Sequence, residues 1–130
     1  MKNNIVELVA SSFLHAFSFL RLNCVLSVGG TAVLDIKSQE PYKSIYSLHS
    51  YNCNSISGVS TYFNILLKYF KDDLTQLKKS IKWIEVGSMK MSYENKKKLI
   101  SLFPEAIIIM NYGMTEVMRA TILNLSLIHI

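Results

Sequence analysis

Cysteine is nearly absent: the 130 residues hold two, Cys24 and Cys53. So few, at no metal-ligand spacing, exclude a disulfide framework and a cysteine-held zinc site, and they fit reduced thiols in a cytoplasmic protein. Proline is as scarce, at Pro41 and Pro104, and there are five glycines. No linker, low-complexity tract or internal repeat is present. Also missing is any uncharged apolar run of about 18 residues, the length a membrane helix needs. The most apolar stretch, MKNNIVELVASSFLHAFSFLRLNCVLSVGG, is broken by Glu7, His15, Arg21 and Asn23. Glu7 falls where a signal peptide needs its unbroken core. The stretch is therefore read as buried elements of a soluble fold, with no transmembrane segment.

Hydrophobic residues make up 50% of the chain and charged residues 18%, which permits a packed core and argues against disorder. The length suits about one domain. The net charge of +5 sits mainly in Lys78, Lys79 and Lys82 and in Lys96, Lys97 and Lys98. Without interleaved aromatics or a nucleic-acid motif, these are expected to be solvated helix faces and not a nucleic-acid surface.

Along the chain, short apolar runs alternate with amphipathic ones. Strands are expected at Ile5–Ala10, Thr31–Ile36, Ser55–Thr61 (running into a loop), Ile81–Gly87 and Ala106–Met110. Helices are expected at Phe13–Ser27, Tyr42–His49, Tyr62–Leu74 and Ser92–Phe103, with Ser92 as an N-cap and Gly29-Gly30 ending the first. The strand runs are continuously apolar, which is the mark of a parallel sheet covered on both faces. The expected fold is α/β: alternating strands and helices forming part of a mostly parallel sheet with helices on both faces, as an incomplete domain. Ligands of such sheets bind beyond the carboxyl ends of the strands. Two strand ends there carry small or polar residues, VGSMK after Glu85 and NYGMTE after Met110.

The chemistry of NYGMTE suits a nucleotide. Tyr112 offers a ring to a base. Gly113 allows the backbone a sharp turn and a close approach to a ligand. Thr115 offers a hydroxyl to phosphate, and Glu116 a hard carboxylate to magnesium. An ordinary strand exit, with Tyr112 packed and Glu116 solvated, is the alternative on these residues alone.

Tyr-Gly-x-Thr-Glu after an apolar strand resembles the signature of the adenylate-forming superfamily, which includes acyl- and aryl-CoA synthetases, luciferases and the adenylation domains of peptide synthetases. SMKMSYENKKKLISLFPEAIIIMNYGMTE resembles the family's run from a small-residue loop through a helix ending in Phe-Pro to that signature. SISGVSTYFNILLKYF is similar to its GVPT strand and helix, with Ser60 where proline is common. SSFLHAFSFLRLNCVLSVGGTAVL is similar to its P-F-H-x-x-G segment, helix and following strand. The resemblance covers nearly the whole chain, in order and spacing.

The resemblance implies roles. Tyr112 would stack on the adenine of ATP, Thr115 would bond the α-phosphate, and Glu116 would bind magnesium; Thr115 and Glu116 are the catalytic candidates. Gly87, Ser88 and Met89, with Gly113, would complete the nucleotide site, although Ser88 departs from the Gly, Glu or Ala usual in that loop. His15, Gly58 and Thr61 would border the acyl pocket. Arg119 would reach a phosphate or carboxylate, or form a surface salt bridge. The implied partners are ATP, magnesium, a small carboxylic acid, and CoA or a carrier protein as acceptor.

The family's Ser/Thr/Gly-rich phosphate loop, ribose-binding aspartate and late catalytic lysine do not occur in these 130 residues. Residues 1–124 are therefore expected to be part of the large AMP-binding domain, inactive alone. LSLIHI, Leu125 to Ile130, can be encoded as CTG TCT CTT ATA CAC ATC, which resembles a transposase adapter of DNA libraries, so it is expected to be a non-native tail. Against an AMP-forming acyl-CoA ligase stand a peptide-synthetase adenylation domain and a non-catalytic α/β binding module.

Overall fold

The computed structural model describes residues 4–34 and 40–127. Its sheet has six strands: β1 (Val6–Val9), β2 (Thr31–Leu34), β3 (Ser55–Val59), β4 (Trp83–Gly87), β5 (Ile107–Met114) and β6 (Val117–Asn124). The order is β2-β1-β3-β4-β5-β6, with every neighbour parallel except β5 and β6. Among the described residues five α-helices join them: α1 (Ala16–Ser27), α2 (Pro41–Ser50), α3 (Ser60–Tyr69), α4 (Lys71–Leu77) and α5 (Tyr93–Leu102).

The expected α/β architecture is present, but the two faces of the sheet differ. Leu8, Ile56, Ile84, Val86 and Ile108 bury against Ile45 and Leu48 of α2, Phe63 and Leu66 of α3, Leu74 and Leu77 of α4, and Leu99 of α5. The opposite face, which receives α1, carries Glu7, Ser55, Ser57, Glu85 and Asn111, all buried. The strands are thus not the uniformly apolar runs the sequence suggested. Alternation places one polar or charged side chain in several of them on the α1 side.

Several boundaries move. The strand expected at Ser55–Thr61 ends at Val59, and Ser60 and Thr61 open α3 with no loop between. The single helix expected over Tyr62–Leu74 is two, because Phe70 leaves helical geometry (φ −127°, ψ 29°). Asp72 and Asp73 then occupy the first turn of α4, where carboxylates oppose the positive end of the helix dipole. α1 starts at Ala16, three residues after Phe13. The end of the strand expected over Thr31–Ile36 falls partly outside the described residues. Ser92 caps α5 as expected, accepting the Asn95 amide at 3.2 Å.

The largest departure lies at the carboxyl end. Ala106–Met110 is not the last strand. β5 continues through Asn111-Tyr112-Gly113-Met114, turns at Thr115-Glu116, and returns as β6. Leu125–Leu127 then forms a 3-10 turn in which Leu125 is buried in the core and Ser126 Oγ donates to Ala106 O at 3.2 Å.

The lysine runs are mostly solvated. Lys82 pairs with Glu105 at 2.6 Å and Lys98 with Glu94 at 2.7 Å, and each pairing lowers the carboxyl pKa.

Candidate functional site

The carboxyl ends of β3, β4 and β5 lie side by side. Val59 is level with Gly87, and Val86 with Met110. That register brings the Gly87–Met89 loop alongside Asn111–Gly113. Ser60 Oγ donates to Met89 O at 2.9 Å and so ties the start of α3 to this loop. Within it, the Met89 amide reaches back to Gly87 O at 3.0 Å. Ser88, at φ +75°, is the middle of this three-residue turn. Such a turn holds a non-glycine residue in the left-handed region, at a cost of about 1–3 kcal/mol.

Gly113 does not make the turn. It lies within β5 opposite an irregular stretch of β6, and Thr115-Glu116 forms the two-residue connection. The slot where a Gly113 side chain would stand is filled by the Val117 and Met118 backbone carbonyls of β6. Glycine is needed there for close approach of backbone to backbone.

A cavity of about 270 Å³ opens at this edge, lined by Ser11, His15, Phe17, Ser88, Gly113 and Thr115 among others. Four expected site residues therefore meet in one cavity: His15, Ser88, Gly113 and Thr115. His15 comes from the residue before α1, Ser88 from the β4 loop, and Gly113 and Thr115 from the hairpin. The ring of Phe17 packs on Gly87, 2.7 Å from where a Cβ would stand, so Gly87 keeps that wall thin. Met89 and Tyr112 are exposed on neighbouring strand ends, outside the cavity lining. Glu116 is exposed in the turn. Gly58 is buried beneath Tyr62 and Phe63, and Thr61 is exposed in the first turn of α3; neither lines the cavity.

Sequence reasoning missed a buried charge network between α1 and the sheet. Arg21 of α1 donates from Nε (2.9 Å) and Nη2 (2.5 Å) to Glu7 of β1, and from Nη1 (2.7 Å) to Glu85 of β4. Burial opposes the Arg21 charge, but the hydrogen bond and charge of Glu7, with the charge of Glu85, outweigh it and raise the pKa. Ser55 Oγ donates to Glu7 at 2.6 Å. Asn111 donates to Glu85 at 2.5 Å, and Arg119 of β6 also pairs with Glu85. Arg119 therefore binds a carboxylate of the protein itself. One signal was available: a lone Glu inside each of IVELVA and IKWIEVG requires a cation if the strand is buried.

The family model of the AMP-binding enzymes matches residues 2–128. The chain belongs to the AMP-binding enzyme family. No curated protein matches it in sequence. Among solved structures it is similar to CmiS6, at 23% identity and a TM-score of 0.85, over 93% of this chain and 30% of that one. It is also similar to a luciferase-like enzyme from the nonluminescent Zophobas morio mealworm, at 24% identity and a TM-score of 0.76, over 90% of this chain and 27% of that one. A third is the O-succinylbenzoate coenzyme A synthetase MenE of Bacillus subtilis in complex with ATP and magnesium ion, at 20% identity and a TM-score of 0.78, over 95% of this chain and 25% of that one. The chain thus spans between a quarter and a third of the length of these proteins, whose likeness establishes the fold.

For an AMP-binding enzyme, the residues present suit a nucleotide held with magnesium. Ser88 and Thr115 bring hydroxyls to the cavity, and Glu116 follows Thr115 in the turn, exposed. Among the described residues no three of His, Cys, Asp and Glu gather to cage a metal. A single hard carboxylate fits an ion that takes its remaining ligands from phosphate and water. Among the described residues no helix is long and apolar enough to cross a membrane.

Proposed function

We propose that this chain supplies the adenine-facing loop, the Thr115–Glu116 turn and part of the acyl pocket of an AMP-forming acid–thiol ligase. The observation that carries this is the meeting of His15, Ser88, Gly113 and Thr115 in one cavity at the carboxyl edge of the sheet, with Glu116 exposed next to Thr115 in the turn. In the reaction a carboxylate oxygen attacks the α-phosphorus of ATP, pyrophosphate leaves, and an acyl-adenylate forms. A thiol sulfur, that of CoA, then attacks the acyl carbon, and AMP leaves. Thr115 donates its hydroxyl to an α-phosphate oxygen as charge builds there. Glu116 holds magnesium, which supplies charge neutralisation to the phosphates when bound. Tyr112 and Met89 face the adenine, while His15 and Phe17 wall the acyl group. Residues 1–124 are assigned to the large AMP-binding domain. Since the 130 residues contain no phosphate loop, we expect catalysis to require chain beyond them.

The test is carboxylate-dependent exchange of pyrophosphate into ATP by the longest chain the gene encodes, across a panel of aliphatic and aryl acids. At least one acid should support exchange, and Thr115→Val and Glu116→Gln should each lower it roughly 10²-fold. Exchange with no acid, or exchange indifferent to both substitutions, would sink the proposal.

A further inference from the structure

The charge network has a shape that stability alone does not account for. Replacing a buried ion cluster with apolar side chains is often neutral or stabilising, so burying Glu7, Glu85 and Arg21 together calls for another reason. The bonds of Glu85 supply one. Its Oε1 accepts from Asn111, which immediately precedes Tyr112 in β5, and from Arg119 in β6. Both arms of the hairpin that carries Thr115 and Glu116 are thereby held by one oxygen. Its Oε2 accepts from Arg21. Arg21 lies one helical turn after Phe17, and both point at the sheet: Phe17 covers Gly87 and lines the cavity. One buried carboxylate thus links the nucleotide hairpin to the helix that walls the acyl pocket.

Glu7 is its near twin. It is equally buried, carries the same charge and binds the same Arg21, but its other bond goes to Ser55 and not to the hairpin. We propose that Glu85 is a positioning residue for the Asn111–Arg119 hairpin, and that it sets the affinity for the ATP phosphates while touching neither substrate. This rests on the adenylation function proposed above. Arg119 carries the outer half of the clamp, crossing from β6 past β5 to β4.

The experiment compares Glu85→Gln with Glu7→Gln in the longest encoded chain, reading melting temperature together with KM for ATP and for the carboxylic acid. Both variants lose one buried charge beside Arg21, so both should melt earlier by similar amounts. Glu85→Gln should raise the ATP KM roughly tenfold, and Glu7→Gln by less than about twofold. Should Glu85→Gln fail to fold, Arg119→Met provides the same readout, because Arg119 is 27% exposed and its loss leaves less charge stranded. Its ATP KM should rise, and Arg119→Lys should restore part of it. Equal changes in ATP KM for the Glu85 and Glu7 variants, or an unchanged KM in Arg119→Met, would overturn the inference alone. An unaltered protein without exchange would overturn it together with the function on which it rests.

Discussion

Substituting Gly113 by alanine tests whether the hairpin is held where it stands. Between the pairs Tyr112↔Thr121 and Met114↔Val117, Gly113 alone of β5 faces Met118, Arg119 and Ala120 of β6. The slack in β6 folds inward, so a Cβ on Gly113 would stand 2.8 Å from Val117 O and 2.6 Å from the carbonyl carbon of Met118. These are backbone atoms, and no rotamer change relieves them. Overpacking of this kind costs about 1–3 kcal/mol. Relief requires β6 to move outward or β5 to twist, and either displaces Thr115, two residues on. If ATP binds only the native placement, pulling the hairpin back costs up to the same energy, an affinity loss of about 5- to 150-fold. Calorimetric titration with ATP and thermal unfolding of Gly113→Ala, in the longest encoded chain, read the two effects separately. Unchanged ATP affinity and an unchanged melting temperature would refute the reasoning, since the side chain would then have room.

The strained loop and the buried thiol give two further tests. Ser88→Gly should stabilise the fold by about 1 kcal/mol in chemical denaturation, because glycine takes φ +75° without a Cβ penalty; equal stability would mean the turn stores no strain. Cys53 is fully buried, and burial, then the charge of Glu7, push its thiol from 9.0 up to about 11. The folded chain therefore keeps a proton that the unfolded chain releases first. The associated stability is complete below pH 9 and is lost as pH rises toward 11. Cys53→Ala should flatten the fall in melting temperature over that window, and an identical slope in both proteins would count against the burial argument.

Much of the fold could be read from local pattern. The stretches expected as strands at Ile5–Ala10, Ser55–Thr61 and Ile81–Gly87 each hold one, Ser92 caps its helix, and the polar strand ends do converge on one edge. β6 escaped because its pattern carries no burial signal. Val117, Met118, Ile122 and Leu123 are all exposed, and an edge strand is defined by its partner, not by its own periodicity. The break at Phe70 escaped because apolar spacing continues through it, and only the backbone departs from the helix. In the site, the residues near one another in sequence were legible as a group. The contacts of Glu85 to Arg21 and Arg119 were not, since they join segments 64 and 34 residues apart. Glu7 and Arg21 were read as interruptions of an apolar run, when each was in fact half of a pair.

The two sides of the sheet hold their elements by different means, and this bears on where a reaction can be placed. On the side of α2 to α5 the contacts are apolar, and such packing tolerates small shifts if volume is kept. On the α1 side, beside the packing of Phe17 on Gly87, stand charge-assisted hydrogen bonds, which are short and directional and weaken steeply with misalignment. The hairpin has almost no packing of its own, since most of β6 is exposed. Its position is set by the β5 ladder, by the crowded slot at Gly113 and by the bonds of Asn111 and Arg119 to Glu85. Thr115 and Glu116 thus stand on a turn that is exposed enough to meet a nucleotide and fixed by directional contacts on one side. A hairpin held only by apolar burial would need to hide the surface that the proposed phosphate contact requires.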